Sequence, residues 1–487
     1  MALPGGVDKV LMTQVSEVIA ERMGLHFLED RWPELAQNLK NASRDLGFND
    51  PDGCIRLLAS RMPTDHQIAI LANHLTIGET YFFRDPATFE LLEREILPLL
   101  VAKRTGNNQI LRLWSAGCCT GEEPYSLAIS CLRTIPEIDH WNVSILATDI
   151  NPKFLERAER GVYSEWSFRN APDWLRERFF SPAPERKFAI QSPVRRFVRF
   201  DYLNLATDLY PSLHNQTNAM DIIFCRNVLM YFTPKQQKTV VTAFYQCLVE
   251  GGLMVVNPAE ANAELFSMFA MEHHESGVLL FRKTSSTPRV SPWPSFVVPS
   301  APRLPAEARA PVPVAVLPQT ESLPPITFET ASLLFEKGHY TAAETQLTRL
   351  LQEEKDSARI PLLLARINAN QGKLDEALRW CDRAIAAERT NPTTYFLSAT
   401  IHSEAGHLEE AITTLGKVLY LDQDFILAHH ALGTLYKKIG KPRESRCHLT
   451  IALTLLSQHE KEEVVPESGG IHCDQLIESI RVSMGAT

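Results

Sequence analysis

An α/β core carrying helical regions at both ends is the fold class that this sequence predicts. Three observations carry it. Apolar residues fall at helical spacing over 8–75 with no strand signal among them, strands and helices alternate from Leu111 onward, and a 34-residue repeat occupies the last third of the chain. The 487 residues suit roughly three domains at about 150 residues each. Hydrophobic residues make up 45% and charged residues 22%, enough to build a core without disulfide or metal staples. A net charge of −9 argues against a protein that lives on phosphate backbones, so no nucleic-acid partner is expected. No run approaches the length of a membrane span, and the opening residues carry acids inside their apolar stretch, unlike a secretory signal. Nine cysteines without CxxC spacing read as reduced thiols. Cytoplasmic location without membrane insertion is therefore expected.

Taken in order, residues 1–75 read as a small helical domain, with Val10, Leu11, Val15, Val18 and Ile19 followed by Leu35, Leu39, Leu46, Ile55, Leu58, Ile68 and Leu71. Residues 76–283 read as the α/β domain. ILRLWSAG is a buried strand, EEPYSLAISCL a helix, VSILATDI a strand and PKFLERAERGVY a helix. MDIIFCRN and GGLMVVNP are later strands on either side of a helix over 234–249. This alternation indicates a doubly wound, Rossmann-like, parallel-rich sheet.

From Thr284 to Ile326, eleven of the 31 prolines occur together. Proline fixes φ and removes a donor, so 284–326 reads as a semi-rigid spacer, with an SH3-type ligand as the alternative. Beyond it, Gly338, Gly372, Gly406 and Gly440 recur at 34-residue intervals. Five residues after each comes Ala343, Ala377, Ala411 or Ser445, and seven before each comes Ala331, Ala365, Ala399 or Gly433. This is the tetratricopeptide (TPR) pattern: small residues where two helices approach, glycine in the turn between them. An all-α TPR solenoid of four hairpins is expected over 327–459, followed by a tail over 460–487. Its groove suits a protein or peptide that the sequence does not identify.

The chemistry gathers in a few segments. Trp114-Ser-Ala-Gly117-Cys-Cys-Thr-Gly121-Glu-Glu123-Pro joins the first strand to its helix. Glycines there let a nucleotide-like ligand approach backbone, with a tight structural turn as the alternative reading of such a motif. Glu122 and Glu123 would repel a pyrophosphate and favour a ligand with a cationic group. The second strand ends in Asp149, where an acid accepts ribose hydroxyls or simply caps the next helix. Together these favour S-adenosylmethionine (SAM), which has ribose, adenine, ammonium and sulfonium but no phosphate.

Four blocks then resemble one family in order and spacing: Thr80-Tyr-Phe-Phe-Arg84-Asp, LWSAGCCTGEEPYSLA, ATDINPKFLERAERGVY and DIIFCRNVLMYF. They are similar to the CheR family of chemoreceptor glutamate methyltransferases. The helical start fits that family, and the added repeats resemble its TPR-bearing Wsp-type and Frz-type subgroup. The resemblance implies a SAM-dependent O-methyltransferase that forms glutamate methyl esters on the cytoplasmic domain of a methyl-accepting chemoreceptor and releases S-adenosyl-L-homocysteine. It implies that Thr80 and Arg84 approach the methionine end and the transfer centre. Glu123 would bind the ammonium and Asp149 the ribose. Asn204 and Leu205 would lie on the adenine side, and Arg226 and Asn227 would line the pocket near Tyr231. Gly78 belongs to the cofactor-binding set that the resemblance implies, and it stands where the family often has Asn, with its effect on that polar contact left open. The family's Gly-His-Ser-Glu-like block is here Asn257-Pro-Ala-Glu260, and no catalysis is assigned to it. The family's small β-subdomain is expected over 161–200, including Phe188–Ile190 and Val194–Phe200, as a receptor-docking surface or as solvated edge strands.

A glutamate carboxylate, with a pKa near 4.3, is ionised at neutral pH and needs no general base. The enzyme would align oxygen, methyl and sulfur and exclude water. Arg84 and Arg226 are candidates to orient the carboxylate, with Tyr231 assisting, unless the arginines serve in structural salt bridges. Cys118-Cys119 and His273-His274 lack metal-ligand companions and read as packing and surface. The alternatives to the methyltransferase are a SAM-binding scaffold that acts through its TPR contacts and an unrelated Rossmann oxidoreductase.

Overall fold

The computed structural model describes residues 8–104, 109–284, 327–354, 357–460, 463–468 and 470–484. All but the first residue of the proline-rich segment lies outside the described residues. At the N-terminus, α1 (Lys9–Met23), α2 (Trp32–Ala42), α3 (Pro51–Ser60) and α4 (Asp65–Leu75) form one helical unit. Asp8 and Asp50 cap α1 and α3, and Thr64 with Gln67 forms a capping box on α4, so first-turn N–H groups are satisfied by side chains. The inward stripe of Met12, Val15, Ile19, Leu35, Leu39, Ile55 and Leu71 makes the core of the unit.

The central domain begins with α5 (Pro86–Leu91), which runs through a π turn (Leu92–Ile96) into α6 (Leu97–Arg104). There follow β1 (Ile110–Ala116), α7 (Glu122–Thr134), β2 (Asn142–Asp149), α8 (Pro152–Arg160) and β3 (Val162–Tyr163). Then come α9 (Trp174–Phe179), β4 (Phe180–Ala183), β5 (Lys187–Ile190), α10 (Ser192–Arg195) and β6 (Val198–Tyr202). The domain ends with β7 (Met220–Phe224), α11 (Pro234–Cys247), β8 (Leu248–Val255), β9 (Ala270–His273) and β10 (Leu279–Arg282). The main sheet runs β6-β2-β1-β7-β8-β10-β9, with the first five strands parallel and the last two antiparallel. β1 and β7 are buried along almost their whole length, as strands covered by helices on both faces must be. The chain winds one way through β1, β2 and β6 and the other way through β7 and β8. That reversal between β1 and β7 creates a crevice at the carboxyl ends of the strands.

A separate three-stranded sheet, β3-β5-β4, forms the small subdomain. The basic-apolar run expected in it divides differently. Phe188–Ile190 belongs to the subdomain, but Val198–Tyr202 is the edge strand of the main sheet, paired in parallel with β2. Val198, Phe200 and Tyr202 pack on a cluster of Cys118, Ala147 and Leu155, which draws the segment onto the larger core.

Eight helices form the repeats: α12 (Phe328–Glu336), α13 (Tyr340–Glu353), α14 (Arg359–Asn370), α15 (Leu374–Ala387), α16 (Pro392–Glu404), α17 (Leu408–Leu421), α18 (Ile426–Lys438) and α19 (Pro442–Leu456). Ala331, Ala343, Ala365, Ala377, Ala399 and Ala411 are buried at the helix contacts. After them α20 (Cys473–Met484) packs between α19 and α4.

A spacer separates repeats and core in the sequence, yet the two are packed together. The turns of three successive hairpins sit on the amino ends of the strands. A Cβ on Gly338 would touch Gln246 at the end of α11, one on Gly372 would touch Ala219 and Val249 at β7 and β8, and one on Gly406 would touch Asn142 at β2. Glu404, fully buried, accepts from Arg112 Nη1 at 3.1 Å and from Asn218 Nδ2 at 3.2 Å. Asn142 Nδ2 donates to the Glu404 carbonyl at 2.9 Å. An exposed-looking glutamate in a repeat turn is thus the buried counter-charge of a strand arginine.

Candidate active site

The crevice at the carboxyl ends of β1, β2 and β7 is lined by Thr80, Arg84, Glu123, Asp149, Asn204, Leu205, Arg226, Asn227 and Tyr231. Nine of the ten residues singled out in the sequence therefore meet in one cavity. The tenth, Gly78, does not line it. A Cβ there would lie 2.6 Å from the Phe154 ring, so the phenyl group occupies the space that a side chain at 78 would need. Phe154 itself is on the cavity wall.

The turn after β1 explains its glycines. Gly117 has φ +81°, and a Cβ on it would be 2.4 Å from Val228, so only glycine lets the β1 and β7 loops meet. The two following glutamates have different fates. Glu122 is buried, accepting from Thr120 Oγ1 at 2.7 Å and Ser167 Oγ at 2.9 Å, and holds the turn rather than lining the cavity. Glu123 faces the cavity, accepts from Ser115 Oγ at 2.8 Å and lies 3.6 Å from Arg226 Nη1. Burial pushes its carboxyl above the ordinary range despite Arg226. A cationic ligand group would relieve that cost.

Asp149 Oδ2 accepts from Cys119 N at 2.8 Å and Oδ1 from Asn151 N at 2.9 Å. Burial raises its carboxyl to about 6 against these two hydrogen bonds. Among the described residues no cation pairs with it, which suits a neutral donor such as a diol. Cys118 is buried, and burial raises its thiol far above the thiolate range, so it packs rather than attacks. Among the described residues no group of three or more His, Cys, Asp or Glu is placed to hold a metal.

Arg226 is almost completely buried. It donates to the Arg84 carbonyl at 2.8 Å and to Asp85 Oδ2 at 3.2 Å, tying the Thr80–Asp85 segment to β7. Arg84 is different: its Nη1 donates to the Glu79 carbonyl at 2.9 Å, and it makes no salt bridge among the described residues. Among the described residues neither the buried Asn227 Oδ1 nor Arg226 Nε has a hydrogen-bond partner. Glu260 accepts from Asn227 N at 2.7 Å and Met230 N at 3.1 Å, so the departing Asn257–Glu260 block shapes the loop that carries Asn227 and Tyr231. Asn204 has spent its side chain, donating to the Arg22 carbonyl at 2.7 Å and accepting from Ala206 N at 3.0 Å.

Four non-glycine residues at or beside the cavity have positive φ: Phe83 (54°), Asp85 (68°), Cys119 (49°) and Asn227 (61°). Such backbone costs about 1–3 kcal/mol each and persists where surrounding contacts impose it. Here Ser126 Oγ accepts from Phe83 N, Thr88 and Arg226 hold Asp85, Asp149 holds Cys119, and Glu260 holds Asn227.

Sequence reasoning missed the roof. Met23, Leu25, His26, Phe27 and Arg31 of the helical unit line the cavity with Phe154 and Phe232. His26 N donates to the Tyr231 carbonyl at 2.7 Å, and Asn151 Nδ2 donates to Thr76 Oγ1 at 2.8 Å, so helical unit and sheet are sewn together over the site. The glycine stop of α1 at Gly24 was the one local signal, because it turns the chain toward Phe232.

The cavity therefore offers a buried carboxylate for an ammonium, a second for a diol, an unpartnered amide oxygen and aromatic walls. That donor set fits SAM. The segment 78–277 matches the CheR methyltransferase, SAM binding domain family, and 328–392 and 371–435 match tetratricopeptide repeat families. The chain is 32% identical over 381 residues to the probable biofilm formation methyltransferase WspC of Pseudomonas aeruginosa, spanning 75% of this chain and 81% of that protein. It is 33% identical over 203 residues to chemotaxis protein methyltransferase 2 of Vibrio cholerae (42% of this chain, 69% of that protein). It is 29% identical over 257 residues to the chemotaxis protein methyltransferase of Borreliella burgdorferi (52% and 89%). Sheet order, cavity chemistry and relatives agree that the chain belongs to the CheR family of SAM-dependent methyltransferases, here with C-terminal TPR repeats.

Proposed function

We propose that the enzyme esterifies glutamate side chains on the cytoplasmic domain of a methyl-accepting, chemoreceptor-like protein, acting from the cytoplasm. The observation that carries this reading is Arg84. It is an arginine on the wall of the SAM cavity, with Thr80 and Tyr231 on the same wall, and among the described residues no carboxylate forms an ion pair with it, although its charge reaches Glu123. A carboxylate substrate supplies the missing partner.

In this reading 76–283 performs the chemistry and 327–459 binds a protein. Glu123 holds the ammonium of SAM and Asp149 the ribose diol, while Asn204 and Leu205 flank the adenine. Bound there, SAM supplies an electrophilic methyl on a sulfonium. Arg84 turns the incoming carboxylate toward the transfer line, and Tyr231 stands beside it. Arg226 acts one step back by holding the Arg84 carbonyl and the strained Asp85 in place. Met23, Phe27 and Phe232 exclude water. No group has to remove a proton, because the nucleophile is already an anion.

Transfer of label from methyl-labelled SAM to receptor-rich membranes tests the assignment. Methyl esters release the label in mild base as methanol. Label that resists base, or an absence of transfer with cofactor binding intact, would overturn it.

A further inference from the structure

A second cavity of about 940 Å³, which shares only Leu203 with the lining of the SAM site, lies between the edge of β6, the inner helices α16 and α18 of the repeats, and α20. Pockets of this size enclose ligands of several hundred daltons. One wall is a bare sheet edge. Among the described residues β6 pairs with β2 alone. Ile145 N donates to the Phe197 carbonyl and Leu203 N to the Asp149 carbonyl, so alternate residues from 197 to 203 turn toward β2. The N–H and C=O groups of Val198, Phe200 and Tyr202 turn the other way, and no hydrogen bond reaches them among the described residues. All three residues line the cavity.

Basic residues slightly outnumber acidic ones on the walls around this edge. Lys438 has no hydrogen-bond or ion-pair partner among the described residues. Lys437 donates to the Ser483 carbonyl at 2.8 Å, and Arg195 donates only to the carbonyls of Arg160 and Glu159. The acids nearby are engaged: Asp201 with Arg199 and Ser479, Asp139 with Arg196, and Asp208 with Asn204 N and Gln475. Glu159 faces Arg195 and Lys437, and burial raises its carboxyl. Arg199 Nε is buried without a partner among the described residues.

We propose that this cavity binds an extended acidic peptide that adds to the sheet as a strand beside β6. Main-chain bonds to Val198, Phe200 and Tyr202 supply affinity. Side chains of an added strand alternate between two faces. One set would lie over α8 near Arg195, and the other toward the repeats, where Lys438 selects acids. The repeats then act as the lid of a groove whose floor belongs to the methyltransferase domain. The inference rests on reading the repeats as a protein-binding surface and is independent of what the SAM site methylates.

The test titrates full-length protein with fluorescein-labelled heptapeptides that alternate valine with glutamate, lysine or serine. The glutamate peptide should bind at least tenfold more tightly than the lysine peptide, and Lys438→Glu should reverse that order. N-methylation of alternate amides should abolish binding, and hydrogen exchange over 198–202 should slow in the complex. Thr434→Trp, which fills the cavity without altering charge, should also abolish binding. SAM affinity should stay unchanged in both variants, which reports a folded core. Failure of all three peptides to bind would overturn the proposal. So would binding indifferent to N-methylation, or displacement by inorganic phosphate at equal concentration, which would mark a small-anion site. Because label transfer is read separately, these failures are distinct from failure of the esterification reading.

Discussion

Replacing Glu404 by alanine tests the packing of the repeats against the sheet. The carboxylate is fully buried, and the Arg112 side chain retains only 10% of its accessible surface. Removing one member of such a pair leaves an uncompensated buried charge and costs about 3–5 kcal/mol. Arg112 keeps the Gln216 carbonyl at 2.8 Å, and Asn218 Nδ2 keeps the Ala369 carbonyl at 3.4 Å. These remaining partners place the expected loss near the lower end, about 3 kcal/mol. Glu404→Gln keeps an acceptor and should lose about 1 kcal/mol. The sign of the pH dependence follows from burial, which raises the Glu404 carboxyl. A raised carboxyl contributes stability that is fully present below its unfolded value, near 4.3, and is lost as pH rises through the folded value. The gap between wild type and Glu404→Gln should therefore narrow toward neutral pH. Urea denaturation of Glu404→Leu, Arg112→Leu and the double variant closes a cycle. Contacting residues should show an interaction energy above about 0.5 kcal/mol. Additive losses would refute the docking of the repeat turn on β1.

Four further outcomes follow from the site. Asp149→Asn should weaken SAM binding, and calorimetry on the wild type should show affinity rising as pH passes about 6, where the carboxyl ionises, with a flat profile in the variant. Arg84→Ala should lower kcat with little change in SAM affinity, whereas Arg226→Ala should reduce both, because Arg226 holds Asp85 and neighbours Glu123. His26→Ala should leave no mark on the pH–rate profile between 6 and 8; loss of a basic limb on substitution would make His26 a general base and refute a self-ionised nucleophile. Gly24→Ala places a methyl 2.2 Å from the Phe232 ring at φ +74° and should destabilise the roof by about 1–3 kcal/mol, with SAM affinity falling in parallel.

What the sequence disclosed follows from how local each feature is. Gly117 to Glu123 form one turn, and Asp149 ends a strand, so contiguous residues carry their own geometry. The repeats were readable because a 34-residue period leaves small residues in fixed columns. The roof was hidden because Leu25, His26 and Phe232 meet only through tertiary packing. Arg226 showed its charge in the sequence but not its partners, so an arginine expected at the substrate proved to be held by Asp85 and a main-chain carbonyl. Glu404 reads as an ordinary surface charge until β1 is placed beneath it.

The two ends of the sheet divide the work, and this limits how the repeats can influence chemistry. SAM-site residues stand at the carboxyl ends of β1, β2 and β7, while the turns holding Gly372 and Gly406 meet the amino ends of the same strands. β1 and β2, of seven and eight residues, separate them by about 20 Å at 3.3 Å per residue, and β7, of five, by about 15 Å. Buried strands are close-packed and transmit a displacement only by moving as bodies. The turns therefore have no direct route to lidding the active site. A partner held by the repeats would raise the local concentration of substrate without altering the transfer step. The exception runs through α20, which touches α4 of the unit roofing the site: Arg22, whose carbonyl receives Asn204, pairs with Asp65 at the head of α4. Deleting 473–484 isolates that path. A fall in SAM affinity with unchanged KM for the protein substrate would show α20 bracing the roof. A changed KM with unchanged SAM affinity would place α20 in substrate capture and exclude the brace.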